Sequence, residues 1–380
     1  MTGIRRCGKS TILKQYLNTI KDGNIIYYDF NDLKLQLLTY VQLHELILKK
    51  AKKNTINYLF LDEIQEIQNF EKTVISLFEN KTINFDVVIT GSNSKMFSDE
   101  LSTLFTGRNI EINVLPLSFC ELYDYLDKKI PYDKKRDKDK QILDFYLTYG
   151  GMPILLEIMD DVDLMKQRLA TIVDDVIEKD VKTRHKIRNI TEFKKISKYI
   201  FDNNGNQTST LSIYNYLISN KENKLSRHTI DKYQKWMCDS LLIYKNMFYD
   251  IKGKHLLNVS SKYYCVDTGI KNINTNFKDE GKLLENVIFL QLLREGYTVY
   301  SLFLQNGKEI DFLAIKDNKK TYIQVVKHLD SEEIRKRGIG NLLSIKDNNR
   351  KIIIVKEGEN YTSDEGIEII NIIDYLKKAK

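Results

Sequence analysis

Gly3, Ile4, Arg5, Arg6, Cys7, Gly8, Lys9 and Ser10 follow the order GxxxxGK[ST]. At this spacing a glycine-rich turn feeds a helix whose N-terminus faces phosphate. Backbone N–H groups from Gly3 through Arg6 and Gly8 to Ser10 and Thr11 would wrap the phosphates of ATP. Lys9 would span the β and γ oxygens as a point charge, and the Ser10 hydroxyl would ligate Mg²⁺. A chance glycine-rich turn carries the same letters, but a second signal stands downstream. Residues 58–61 are apolar and close on Asp62 and Glu63. Asp62 would hold the Mg²⁺ shell, and Glu63 would polarise the water that attacks the γ-phosphate. The run 85–90 ends in Gly91, Ser92 and Asn93, which places Ser92 and Asn93 beside the γ-phosphate if the strands are parallel; a plain polar loop reads the same way. Arg108 would neutralise transition-state charge, in cis or from a neighbouring subunit, or else stand as a surface arginine.

These groups need a scaffold. The runs 25–30, 58–61, 85–90 and 109–115 are rich in Ile, Val, Tyr and Phe and too short for helices, while 10–19 and 33–51 carry apolar residues at helical spacing. This alternation is that of an α/β core with a mainly parallel sheet. A strand at 25–30 lies between the two motif strands, the arrangement of P-loop ATPases with a catalytic glutamate. Residues 117–188 turn helical, with a solvated loop expected at 133–140 and a break at Gly150, Gly151 and Pro153.

Beyond residue 190 three short helices are followed by a hairpin, 241–248 and 255–259. The second and third helices read as a helix-turn-helix with Ser226 as N-cap. Arg227, His228 and Lys232 would meet double-stranded DNA, and Lys252 and Lys254 would touch phosphate as a wing; a module for protein contacts has the same pattern. The last block holds a helix at 282–295 and strands at 298–303, 309–314, 322–326 and 351–355, a second α/β unit.

The chain has 380 residues, 42% of them hydrophobic, and 59 basic against 52 acidic side chains, a net charge of +7. That length implies several domains, and the composition excludes a disordered or collagen-like chain. The charge permits nucleic-acid contact without requiring it. No apolar run reaches the ~20 residues of a membrane span, so no membrane partner is expected. Four cysteines without CxxC spacing point to a reduced, cytoplasmic protein without structural zinc.

The segments GIRRCGKSTIL, LFLDEIQ, ITGSNSKM, FTGR, LPLSFCEL, YGGMP, EIDFLAI and YIQVV together resemble bacterial and archaeal AAA+ ATPases of the AAA_14 type fused to a DUF4143 region. The resemblance implies a P-loop AAA+ parallel-sheet core, a winged helix and a C-terminal α/β domain similar to PD-(D/E)XK restriction nucleases, and the helical stretch 117–188 reads as a helical lid or linker. It marks Gly8, Lys9, Ser10, Asp62 and Glu63 as nucleotide-site positions, with Ser92 or Asn93 beside them. The expected division is 1–130, 131–189, 190–277 and 278–380. Glu309, Ile310 and Asp311, followed by Ile323, Gln324 and Val325, resemble the acidic core of those nucleases, with Glu285 on the preceding helix. The Glu-x-Lys pair reads Gln324 and Val326 here, and Lys327 points to the opposite strand face. Glu285, Asp311 and Gln324 are therefore read as degenerate nuclease positions.

The family places a strand ahead of the glycine loop where this chain has Met1 and Thr2. The expectation is a core lacking its first strand, two neighbouring strands without their shared partner, and weak ATP binding that an upstream extension would restore. The reading is an ATP- and Mg²⁺-dependent ATPase that couples nucleotide state to DNA or a protein partner, with a homo-oligomer as an open possibility. Two alternatives stand: a DNA-binding or scaffold protein with a crippled ATPase, and an ATP-gated nuclease.

Overall fold

The structure is a computed structural model of the chain. It describes residues 1–94, 110–129, 137–187, 189–220, 225–250, 255–275, 279–304, 308–329 and 332–378. The chain divides into two compact units, residues 1–115 with 239–241, and residues 116–238 with 242–380. The first division thus falls at 115/116, where 130/131 was expected.

In the first unit α1 (Lys9–Leu17) leaves the glycine loop, followed by β1 (Asn24–Asp29), α2 (Leu33–Gln36), α3 (Tyr40–Lys50), β2 (Ile56–Asp62), α4 (Phe70–Phe78) and β3 (Asn84–Ile89). The strands pair in parallel in the order β1-β2-β3. Parallel strands are covered on both faces and so read as nearly continuous apolar runs. Leu59 and Leu61 of β2 pack with Leu43 and Ile47 of α3 and Phe70 and Val74 of α4. Phe60, between them, points the other way and meets Tyr16 of α1 edge-on, with ring centroids 5.8 Å apart. The single helix expected over 33–51 is two helices, because Thr39 and Gln42 form a reciprocal cap that starts α3 afresh.

Met1 and Thr2, expected to contribute no pairing, fill one rung beside β3. Thr2 forms parallel bridges with both Gly91 and Asn113. Its N–H donates to the Ile112 carbonyl at 2.9 Å and its carbonyl accepts from Val114 N–H at 2.6 Å, while Gly91 N–H donates to the Met1 carbonyl at 3.1 Å. Buried amides need such partners. Of the strand expected over 109–115, residue 109 lies outside the described residues and the rest contributes the bridge at Asn113.

The second unit begins with helices α5 (Phe119–Lys129), α6 (Lys138–Tyr149) and α7 (Val162–Asp175), which runs into a π-helical stretch, Val176–Thr183. Then come α8 (Ile190–Asp202), β4 (Gln207–Thr208), α9 (Thr210–Ser219), α10 (Arg227–Asp239), β5 (Ile243–Asp250), β6 (His255–Cys265) and α11 (Thr268–Ile273). The chain ends with α12 (Glu280–Arg294), β7 (Thr298–Phe303), β8 (Glu309–Lys316), β9 (Lys319–Val326), α13 (Glu332–Leu343), β10 (Arg350–Val355), β11 (Tyr361–Thr362), β12 (Glu368–Asn371) and α14 (Ile372–Lys378). Of the loop expected at 133–140, residues 133–136 lie outside the described residues. Residues 138–140 are the first turn of α6, because the Asp137 side chain accepts from the N–H groups of Asp139 and Lys140.

The nine strands among the described residues of this unit form one sheet, in the order β11-β12-β10-β9-β8-β7-β5-β6-β4. The boundary expected at 277/278 does not interrupt it. β5 of the helix-turn-helix block runs parallel to β7, with Phe248 opposite Ser301 and Asp250 opposite Phe303, and the rings of Phe248 and Phe303 stack at 4.3 Å. An open β5 edge would expose a row of unpaired backbone groups. Pairing it with β7 removes that edge and brings β6 within reach of the terminal strands.

The glycine pair after α6 has a specific cause. Gly151 N–H donates to Asp267 Oδ2 at 2.7 Å, and Ile270 N–H donates to Oδ1 of the same carboxylate at 3.0 Å. Gly150 has φ +77°, and a Cβ there would lie 2.1 Å from Asp267 Oδ1. The chain therefore turns here only with glycine. Asp267 is fully enclosed, and that burial pushes its carboxyl up to about 6.

Candidate nucleotide-binding site

The glycine loop is anchored by Ile4 and Cys7, both buried, and curled by two left-handed residues, Arg6 at φ 65° and Gly8 at φ 106°. Among the described residues no side chain caps the N-terminus of α1, so the positive end of the helix faces the loop that leads into it. Lys9 is only 3% exposed. Its Nζ donates to the carbonyls of Gly3 at 2.9 Å and Ile4 at 3.3 Å, and stands 3.3 Å from Glu63 Oε1. Ser10 is half-buried and Thr11 exposed at the start of the same helix. Burial pushes the Cys7 thiol up, with nearby Lys9 opposing, which keeps it protonated and unreactive.

At the end of β2 the backbone turns abruptly, with Glu63 at φ 56°. The turn sends two successive carboxylates in different directions. Asp62 is fully buried; Oδ1 accepts from Thr90 Oγ1, and Oδ2 accepts from the Tyr27 hydroxyl at 3.2 Å. Thr90 Oγ1 also accepts from Glu63 N–H at 3.0 Å, which fixes the strained turn. Burial, then the carboxylates of Asp62 and Asp29, push the Tyr27 phenol up, so it serves Asp62 as a donor only.

Glu63 Oε2 accepts from Gln65 Nε2, and the same amide nitrogen reaches Ser92 Oγ at 3.3 Å. Ser92 and Asn93 are both buried. Lys9, Glu63, Gln65 and Ser92 thus form one connected polar unit, and Arg108 lies outside the described residues. Tyr27, Gln65 and Thr90 are missing from the sequence reading. Only Thr90 carries a signal there, as the polar end of an apolar strand run.

In the second unit Ser226 Oγ accepts from Thr229 N–H at 3.1 Å, capping α10 as expected. Arg227, His228 and Lys232 are exposed on that helix, with the Arg227 guanidinium 5.3 Å from the centre of the Tyr214 ring. Lys252 and Lys254 lie outside the described residues.

The three terminal positions come together around a cavity of about 550 Å³ lined by Glu285, Glu309, Asp311, Gln324 and Asn341 among others. Asp311 Oδ2 accepts from Gln324 Nε2 at 2.6 Å and Val325 N–H at 2.8 Å. Lys327 points away and pairs with Glu280 at 2.8 Å, as strand alternation requires. Lys262 of β6 enters the cluster unforeseen. Burial alone would lower its ammonium, but Glu285, Asp311 and Glu309 together hold it above the usual lysine range. Burial and then Glu285 push Asp311 up to about 7, against Lys262. No spacing in the sequence connects it to Glu285, Glu309 and Asp311.

Residues 1–123 match the AAA domain family AAA_14, residues 140–281 a domain of unknown function, DUF8612, and residues 280–375 another, DUF4143. An uncharacterized protein of Haemophilus influenzae is 34% identical over 99% of this chain and 93% of its own length. An uncharacterized protein of Methanocaldococcus jannaschii is 33% identical over 99% of this chain and 86% of its own. Among solved structures, the Walker-type ATPase of Pyrococcus abyssi aligns with a TM-score of 0.45 at 15% identity, covering 72% of this chain and 89% of that one. No helix among the described residues is long and apolar enough to cross a membrane.

Proposed function

This chain belongs to the family that joins an AAA domain of the AAA_14 type to a C-terminal DUF4143 region, and from that premise we propose that it is a Mg²⁺-dependent ATPase whose nucleotide state governs its grip on double-stranded DNA. The observation that carries the first half is the buried Lys9 ammonium, held between the loop carbonyls and Glu63. ATP would enter by exchanging Glu63 for phosphate oxygens as the partner of Lys9, with the first turn of α1 donating N–H groups. Ser10 and Asp62 offer hard oxygen ligands suited to Mg²⁺, which when bound would neutralise charge on the phosphates. Glu63, released from Lys9, would then orient water and take its proton. Gln65 ties Glu63 to Ser92, so Ser92 would report whether the γ-phosphate is present.

The test is ATP turnover by the intact chain with Mg²⁺ and with EDTA. Turnover that requires Mg²⁺ is the expected result, and none under any divalent ion would leave the scaffold alternative.

The DNA half is supported by the exposed basic start of α10. Affinity for a duplex should fall as salt rises. Replacing Arg227 and Lys232 by alanine should reduce the slope of log affinity against log salt by roughly two, since each phosphate contact contributes about 0.9. An unchanged slope would move the interface off this helix.

A further inference from the structure

The acidic cluster of the terminal sheet already holds a positive charge. Lys262 Nζ lies 3.4 Å from Glu285 Oε2 and 3.8 Å from Asp311 Oδ1, and in closer contact with Glu309 Oε1. The lysine is 2% exposed. It reaches this point because β6 lies next to β5, which pairs with β7 and through it with β8, the strand of Glu309 and Asp311. Lys282 neutralises the far oxygen of Glu285 at 2.6 Å.

A hard divalent ion of this size needs several oxygens at about 2.0 to 2.2 Å from one centre. Lys262 Nζ sits among the oxygens that would have to supply them, so a metal and the ammonium exclude each other by volume and by charge. The Mg²⁺ that a nuclease-like domain would carry therefore does not fit beside the residues present. A second, independent observation concerns the amide of Asn341, 5% exposed on α13 and lining the same cavity. Among the described residues its Oδ1 is buried without a hydrogen-bond partner, an oxygen available as a ligand. The Gln324 Oε1 atom is in the same condition.

We propose that Lys262 is a built-in cation, standing among Glu285, Glu309 and Asp311 where a divalent ion would bind, so that this cluster takes up no Mg²⁺ or Mn²⁺ until the ammonium is removed. The oxygens remaining after its removal, three carboxylates and two side-chain amides, are the donor set that Mg²⁺ and Mn²⁺ prefer. Removal of one partner from a buried ion cluster leaves like charges facing each other, and a bound Mn²⁺ relieves that repulsion.

The experiment uses the full chain without nucleotide, which keeps the result separate from any failure at the ATP site. Mn²⁺ binding is followed by electron paramagnetic resonance and by its effect on Tm. Lys262→Met is expected to bind one more Mn²⁺ per chain than the wild type and to gain several degrees in Tm from it. Adding Asp311→Asn should abolish both gains. A folded Lys262→Met chain that binds no additional ion would overturn the proposal. So would a gain that survives Asp311→Asn. If Lys262→Met folds only when Mn²⁺ is supplied, that dependence supports the proposal. Should it fold under neither condition, wild-type crystals soaked in Mn²⁺ decide: anomalous density between Glu285 and Asp311 overturns it, and its absence there supports it.

Discussion

Glu63→Gln is expected to lower ATP turnover by roughly 10² to 10⁴-fold while leaving ATP affinity unchanged or somewhat tighter, whereas Lys9→Ala is expected to abolish tight binding itself. The separation follows from the ion pair of Lys9 with Glu63 at 3.3 Å. These two groups satisfy each other, so phosphate would compete with Glu63 for the ammonium. Glutamine keeps the shape but gives up the charge. It releases Lys9 more readily, yet it cannot accept a proton from water. Alanine at position 9 instead leaves Glu63 without its cation and the phosphates without their point charge. Fluorescent-nucleotide titration and phosphate release on the same preparations check both halves. Equal turnover in Glu63→Gln and wild type would remove Glu63 from its role, and unchanged affinity in Lys9→Ala would remove the loop from ATP binding.

The largest stability effect is expected at Asp267. Asp267→Ala removes the acceptor of Gly151 N–H and Ile270 N–H inside a fully buried turn. Each orphaned donor costs about 1 to 3 kcal/mol, so the loss should be roughly 2 to 6 kcal/mol. Asp267→Asn should cost less, and it isolates the charge. The folded carboxyl is raised to about 6 from 3.8, so the folded state binds the proton more tightly than the unfolded state. The contribution of Asp267 is therefore most favourable below about pH 4 and is lost as pH rises through 6. Unfolding by denaturant at several pH values is the measurement. Wild-type stability should fall relative to Asp267→Asn between pH 4 and 6, and a difference that stays flat would contradict the buried charge.

The loop from Gly3 to Ser10 and the pair Asp62 and Glu63 are legible in the sequence because their chemistry is local. A phosphate loop needs its glycines, lysine and hydroxyl within one turn, and an apolar run ending in two carboxylates marks the end of a buried strand. The same logic found Ser226 as the cap of α10 and placed Lys327 on the strand face opposite Gln324. Tyr27 and Gln65 escaped it: a tyrosine inside an apolar strand reads as core, and a glutamine after a motif reads as surface. Only the parallel register of β1 with β2 puts Tyr27 beside Asp62.

The terminal cluster divides the same way. Glu285, Asp311 and Gln324 were recognised from their order along the chain and the resemblance it carries. Lys262 belongs to another stretch, beyond the hairpin strand expected at 255–259 but inside the expected 190–277 block, and no spacing rule connects it to them. Its position depends on β5 pairing with β7, an event between backbone edges that side-chain patterns do not encode. The sequence by itself determined where the glycine loop with Lys9 and the pair Asp62 and Glu63 lie, because each is a local pattern ending a strand or opening a helix. Tertiary pairing alone decided that the acidic cluster is already filled, because a buried ammonium and three carboxylates can meet only when strands distant in the chain share one sheet.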